Sequence, residues 1–178
     1  MDCALRLRER YQIRPDQIVR VQCRTAAGPL PRLWEPLAAK QTPPGGYAAK
    51  FSLPYLVAVI LVKGRAGLAE FTDEAVRDEM VLGVAARVTY ELDETIEYPK
   101  HFVGHVRITL DDGRVVEERQ GHPRGGPECP MTREEVEAKF RGNAGLLMPA
   151  ERAQRIITAM NGIVAQKHLT DLMASLAP

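Results

Sequence analysis

Three side chains within one short stretch, Lys50, Ser52 and Tyr55, are of the types that hold an anion and move a proton. Lys50 supplies a cationic donor, and the Ser52 and Tyr55 hydroxyls both donate and accept. They stand at the mouth of an apolar run, Leu53 to Val62, that carries no charge and closes at Lys63-Gly64. Ser52 is a good N-cap, and Pro54 falls in the first turn, where a missing N–H costs nothing. Gly64 suits the C′ position, with Lys63 beside the negative end of the dipole. The run therefore predicts a helix that is apolar all round, and such a helix is buried. Its N-terminus, with backbone N–H groups beside Lys50 and Ser52, suits a carboxylate. Tyr55 is the residue whose position suggests general acid–base work. A capped core helix with a packed Tyr55 accounts for the same residues, and both readings stay open.

Other reactive types are scattered. His101 and His105 are four apart, which would align on a helix, but they fall in a stretch that reads as strand. His122 and Cys129 share a loop without a C-x-x-C or a second nearby histidine, so the ligand count of a structural zinc site is missing. No metal and no cofactor is expected. Cys129 has only Arg124 as a nearby cation, so its thiolate has little support. Gly121 to Gly126 can offer backbone N–H groups to an anion beside Arg124, or can simply be a solvated glycine-containing loop. Nucleotide and nucleophile-elbow motifs are absent.

The elements that must position these residues follow from patterning. A short helix spans Ala4 to Tyr11 and has no cap before it. Ile18 to Thr25 alternates, with Val19, Val21 and Cys23 on one face and Arg20, Gln22 and Arg24 on the other, as in a half-buried strand. Gly28 to Gly46 contains five prolines and reads as an irregular loop anchored by Trp34 and Leu37. Thr72 caps a second helix running to about Ala86, and Arg87 to Leu92 alternates again. Asp112-Gly113 signals a two-residue hairpin between Phe102–Leu110 and Arg114–Gln120, with Leu110 opposite Val115 and Arg107 opposite Glu118. Thr132 and Glu135 form a capping box; Gly142 ends that helix, Pro149 starts another, and Leu169 to Leu176 closes the chain. The fold class expected is α+β, an antiparallel sheet packed on helices, with helical segments at both ends.

Composition sets outer limits. The 178 residues are 45% hydrophobic and 26% charged, an ordinary globular balance, and 24 Lys plus Arg against 23 acidic residues give +1. That balance, without a basic stripe interleaved with aromatics, speaks against nucleic acid as a partner. No run reaches the roughly 18 apolar residues of a membrane span. Three widely spaced cysteines and a start without signal-peptide order fit a cytoplasmic protein.

Two segments carry a resemblance. Ala49-Lys50-Phe51-Ser52-Leu53-Pro54-Tyr55 with Ala58, and Pro127-Glu128-Cys129-Pro130-Met131-Thr132-Arg133-Glu134-Glu135 with Lys139-Phe140, are similar in order and spacing to two motifs of the MmgE/PrpD family. That family includes 2-methylcitrate dehydratase, cis-aconitate decarboxylase and iminodisuccinate epimerase, acid–base lyases and isomerases of small polycarboxylates that use no metal. The resemblance implies a smaller α+β lid and C-terminal helices, with the family's large helical domain lying N-terminal to the part matched here. On that basis residues 1–16 belong with the helical domain, 17–129 form the lid, and 130–178 return to the helical domain. It implies Tyr55 as the active-site tyrosine, with Lys50 and Ser52 beside it as substrate contacts; Arg124, in the glycine-containing loop, is the further candidate contact. His101, His105, His122 and His168 do not match the family's catalytic histidine, so the chain alone is expected to be inactive. Its expected partners are a small polycarboxylate, a separate N-terminal helical half and a second copy of itself, since Leu146, Leu147, Ile156, Met160, Ile163, Leu169, Leu172 and Met173 would otherwise lack cover. The alternative is a non-catalytic remnant, a small-carboxylate-binding module.

Overall fold

The computed structural model describes residues 1–165 and 168–176. Residues 1–130 form one compact unit and 131–178 a second; residues 166–167 and 177–178 of the expected C-terminal segment lie outside the described part. The class is α+β: helices around a four-stranded sheet.

The first unit opens with α1 (Asp2–Tyr11), whose first turn has no side-chain cap and whose Cys3, Ala4 and Leu7 are buried. Arg6 and Arg10 on its outer side each reach Glu118 at 3.0 Å. Strand β1 (Ile18–Thr25) follows. Its expected face is corrected at one residue. Val19 is 54% exposed while Ile18 is buried, because the pairing slips between Ile18 and Arg20. One extra residue in a bulge turns Val19 outward.

The proline-rich stretch is not an irregular loop. It folds into α2 (Leu30–Leu33), α3 (Leu37–Gln41) and α4 (Gly46–Ala49), with Trp34 buried between the first two. The central helix is α5 (Leu53–Lys63), with Ser52 as its N-cap and Gly64 in the left-handed region at φ 71°. Val57, Val59, Ile60 and Leu61 are all buried. Each contributes roughly 1.5–3 kcal/mol relative to exposure. The helix expected from Thr72 to Ala86 is divided. Thr72 does receive the Ala75 N–H at 3.0 Å, but only a short 3-10 turn, Ala75–Arg77, follows. Asp78 breaks it, because its carboxylate accepts the Met80 and Val81 N–H groups and starts α6 (Glu79–Ala85).

Strands β2 (Val88–Leu92), β3 (Gly104–Leu110) and β4 (Val115–Gln120) complete a sheet of order β2-β1-β3-β4. The sheet is mixed rather than wholly antiparallel: β1 and β2 run parallel, joined by the crossover that contains α5 and α6. The hairpin register also differs by one from expectation. Arg107 lies opposite Glu117 and Thr109 opposite Val115, since the loop has three residues. The Leu110 N–H donates to Arg114, and Gly113 sits at φ 83°, as in a type I turn closed by a left-handed residue.

The second unit contains α7 (Arg133–Ala144), α8 (Ala150–Asn161) and α9 (Thr170–Leu176). The Thr132–Glu135 capping box forms, with bonds of 3.2 and 2.8 Å. Gly142 lies inside α7, and Gly145 ends it. Ile156 and Leu172, expected to need a partner surface, are instead buried, as is Ile157, because α8 packs on α7 and α9, whereas Leu147 is 89% and Val164 97% exposed.

Candidate functional site

Helix α5 separates two hollows, both lined wholly by the first unit. Residues four apart share a helix face. Leu53 and Val57 line a cavity of about 260 Å³. Tyr55 and Val59 line a wider cleft of about 560 Å³. The four residues singled out in the sequence fall in different settings around this helix.

Ser52 is fully buried, accepts the Tyr55 N–H at 3.1 Å and donates its hydroxyl to the Lys40 carbonyl. Tyr55 is also buried, and its hydroxyl donates to the Glu70 carbonyl at 2.9 Å, with the Ala75 carbonyl at 3.4 Å. Burial, then the Asp78 and Glu70 carboxylates, push the Tyr55 phenol above its ordinary value. Of the N–H groups at positions 54 to 56, Pro54 has none, Tyr55's goes to Ser52 Oγ, and Leu56's to the Ser52 carbonyl at 2.9 Å. Lys50 is exposed, its ammonium 6.0 Å from the Tyr47 ring centre. Arg124 approaches Asp2 at 3.6 Å, at the start of α1. Asp2 and His122 line the first cavity and Tyr55 the second cleft, so the structure brings Ser52 and Tyr55 together and sets Arg124 among different neighbours.

The Tyr55 cleft holds a carboxylate that sequence patterning passed over. Glu70 is 7% exposed and accepts the Arg65 Nε–H at 2.7 Å and the Gly67 N–H at 2.8 Å. Burial alone would raise its carboxyl; the Arg65 guanidinium and the Gly67 N–H outweigh that and hold it below the usual range. Asp78 is likewise held low by the Lys63 ammonium, 2.6 Å away, against the opposing effect of burial and with help from the Val81 and Met80 N–H groups. Neither the Arg65–Glu70 pair, five residues apart and off the usual helical pairing spacings, nor the placement of Tyr55 on the same segment was legible in the sequence.

The first cavity gathers residues from five places in the chain. Its walls are mainly apolar, with Cys23, Trp34, Leu53 and Val57 among them, and His101, His105 and His122 stand along it. The His101 and His122 rings meet edge to face at 6.4 Å. His105 pairs through Nε2 with Glu117, which also accepts Arg107 Nε at 2.8 Å. Arg107 first, then His105, holds the Glu117 carboxyl low, so Glu117 is an ionised acceptor and Nε2 carries the proton. Nδ1 of His105 and Nε1 of Trp34 are buried with no partner among the described residues. The thiols here are not nucleophiles. Burial raises that of Cys3, and pushes that of Cys23 up to about 12. Among the described residues, no group of three or more His, Cys, Asp or Glu is arranged to hold a metal ion, and no helix is long and apolar enough to cross a membrane.

Residues 1–163 match the family described as the MmgE/PrpD C-terminal domain. The cis-aconitate decarboxylase-like protein oryM of Aspergillus oryzae is 26% identical over 142 residues, which cover 79% of this chain and 29% of that protein. A cis-aconitate decarboxylase of Aspergillus terreus is 29% identical over 137 residues, 75% of this chain and 27% of the relative. That of Aspergillus terreus strain NIH 2624 is 31% identical over 121 residues, 66% and 24%. The chain thus spans between 24% and 29% of the length of these curated relatives.

Proposed function

Because this chain belongs to the MmgE/PrpD family, as its C-terminal domain, we propose that it serves as the lid-containing part of a polycarboxylate lyase or isomerase. The observation that carries the reading is the family match, which runs through both motif segments and ends at residue 163. The substrate class proposed is a small unsaturated or hydroxylated polycarboxylate, in keeping with relatives named for cis-aconitate decarboxylation. Lys50, exposed beside the start of α5, is the proposed cationic contact for one carboxylate, and Arg124 for another. Ser52 holds the first turn of α5 in place and thereby Tyr55. Tyr55 would act as proton donor by exchanging its Glu70 carbonyl partner for substrate. A phenol raised by burial is a weak acid, so an efficient proton transfer needs a second group of complementary basicity, which the proposal assigns to the N-terminal helical domain of the family.

The test is a turnover assay on cis-aconitate and 2-methylcitrate, with the chain alone and mixed with a separately expressed N-terminal helical domain of a relative, together with calorimetry of both ligands. We expect binding weakened by Lys50→Ala, and turnover only in the mixture. Turnover by the chain alone would overturn the division of labour. Binding without turnover in every pairing would favour a carboxylate-binding module, the reading suggested by the commitment of Tyr55 to a backbone carbonyl. Self-association is proposed for the second unit, on the exposure of Leu147, Val164 and Met173, and sedimentation of the isolated chain checks it.

A further inference from the structure

The cleft on the Tyr55 side of α5 is lined by equal numbers of opposite charges, Lys63, Arg65 and Arg77 against Glu70, Glu74 and Asp78. Lys63 is paired with Asp78 at 2.6 Å, while Arg77 and Glu74 are exposed. An excess of charge therefore does not mark a ligand here; the geometry of single groups must. Arg65 differs from the other cations in that respect. Its side chain is 76% exposed, yet it is held by the Glu70 carboxylate, which is only 8% exposed. Arginine–carboxylate pairs are frequently bidentate, one fork taking both oxygens. This one is side-on. Oε1 of Glu70 accepts the Arg65 Nε–H at 2.7 Å, and Oε2 is diverted to the Gly67 N–H at 2.8 Å. A side chain at residue 67 would crowd that bond, since its Cβ would stand 3.3 Å from Oε2. A guanidinium carries five N–H donors. Only the one on Nε is engaged, and neither Nη group has a hydrogen-bond partner among the described residues. A buried carboxylate thus restrains an exposed guanidinium and leaves its two Nη groups for a ligand.

Two oxygens in one plane match two such donors, so the group that fits is a carboxylate taken bidentately. Neither Lys50 nor Arg124 lines this cleft, whereas Arg65 shares it with Tyr55. Glu70 joins the two, because its carboxylate holds Arg65 and its main-chain carbonyl accepts the Tyr55 hydroxyl at 2.9 Å. We propose that Arg65, oriented by Glu70, is the specificity-determining contact for one carboxylate of the substrate. That the substrate is a small polycarboxylate rests on the function proposed above; that Arg65 takes a carboxylate rests on its own geometry.

Calorimetric titration of the 178-residue protein with cis-aconitate, and with its trimethyl ester as the uncharged control, tests this directly. cis-Aconitate is expected to bind saturably with a dissociation constant of roughly 1 mM, as befits so small a ligand, and the ester not measurably. Arg65→Lys keeps the charge and loses the fork, so it should weaken binding about fivefold or more with the thermal transition retained. Arg77→Gln removes a cation of the same cleft that has no orienting carboxylate among the described residues, and should weaken binding no more than about threefold. Modification by phenylglyoxal, mapped by mass spectrometry, locates the ligand. Saturating cis-aconitate should slow the reaction of Arg65 and leave unchanged that of Arg14, which is 68% exposed and lines neither hollow. Any of four results overturns the proposal: no saturable binding to folded protein, unchanged affinity in folded Arg65→Lys, a larger loss in Arg77→Gln than in Arg65→Lys, or Arg65 left unprotected. Binding lost in Lys50→Ala but kept in Arg65→Lys would sink the arginine's role and leave the proposed function standing. Binding that depends on Arg65, with no turnover in any mixture, would do the reverse.

Discussion

The two sides of α5 differ less in residue type than in how completely their hydrogen bonds are used. On the Tyr55 side every buried or half-buried polar group named above has a partner: the phenol on the Glu70 carbonyl, Glu70 on Arg65 and Gly67, Asp78 on Lys63 and two backbone N–H groups. On the Leu53 side, Trp34 Nε1 and His105 Nδ1 have none among the described residues. A tyrosine at the start of a buried helix looks reactive, and a tryptophan among valines looks like core. Counting partners reverses the emphasis: the tyrosine ties segments together, and the tryptophan carries unspent donor capacity.

The largest effect should come from forcing the tied side apart. A Cβ at Gly46 would stand 1.9 Å from the Phe71 carbonyl oxygen, a backbone atom that cannot swing aside, and Phe71 packs on Tyr55 at 6.0 Å. Gly46→Ala should therefore cost about 3 kcal/mol or more, read as a lowered midpoint in chemical denaturation. A near-neutral result would mean that this side is looser than its bonding implies.

Next is Glu70→Gln, which should cost about 1.5–3 kcal/mol near neutral pH, because it weakens charge-assisted bonds to Arg65 and Gly67. The folded carboxyl lies below its unfolded value. Its stabilisation is thus complete above the ordinary glutamate range and fades as pH falls through the depressed folded value. The gap between wild type and Glu70→Gln should accordingly narrow on acidification, and a gap that widened would contradict the assignment. Tyr55→Phe should cost less, about 1 kcal/mol, since one neutral hydrogen bond is removed without change of ring volume. A full loss of catalysis in a reconstituted enzyme with unchanged stability would instead make the phenol a catalytic group first.

The smallest change belongs to the other side. His105→Phe removes an unpartnered nitrogen together with a partly exposed pair to Glu117, so stability should move by only about 0.5 kcal/mol. Thermal melts of His105→Phe and Tyr55→Phe in parallel sharpen the contrast most directly.

Local sequence was enough wherever the interaction spans one turn. Ser52 as cap, Gly64 as stop, the Thr132–Glu135 box and the position of the Asp112-Gly113 turn all join residues a few positions apart, and all are present. The motif segments likewise identified the family that the match over residues 1–163 shows. Tertiary structure decided what depended on distant neighbours. A left-handed Gly113 and a Leu110–Arg114 bond made the hairpin loop three residues and shifted the register by one; a bulge against β3 turned Val19 outward. Five prolines suggested irregularity, yet each short helix among them is held by contacts such as Trp34 on Tyr90 and the Lys40 ammonium on the Arg32 and Phe51 carbonyls. The partner of Tyr55 lies 15 residues away, and the cavity draws His101, His105 and His122 to a wall shared with Trp34. A residue's type and its near neighbours are written in the chain, but whether its last hydrogen bond is spent depends on which distant segment folds against it.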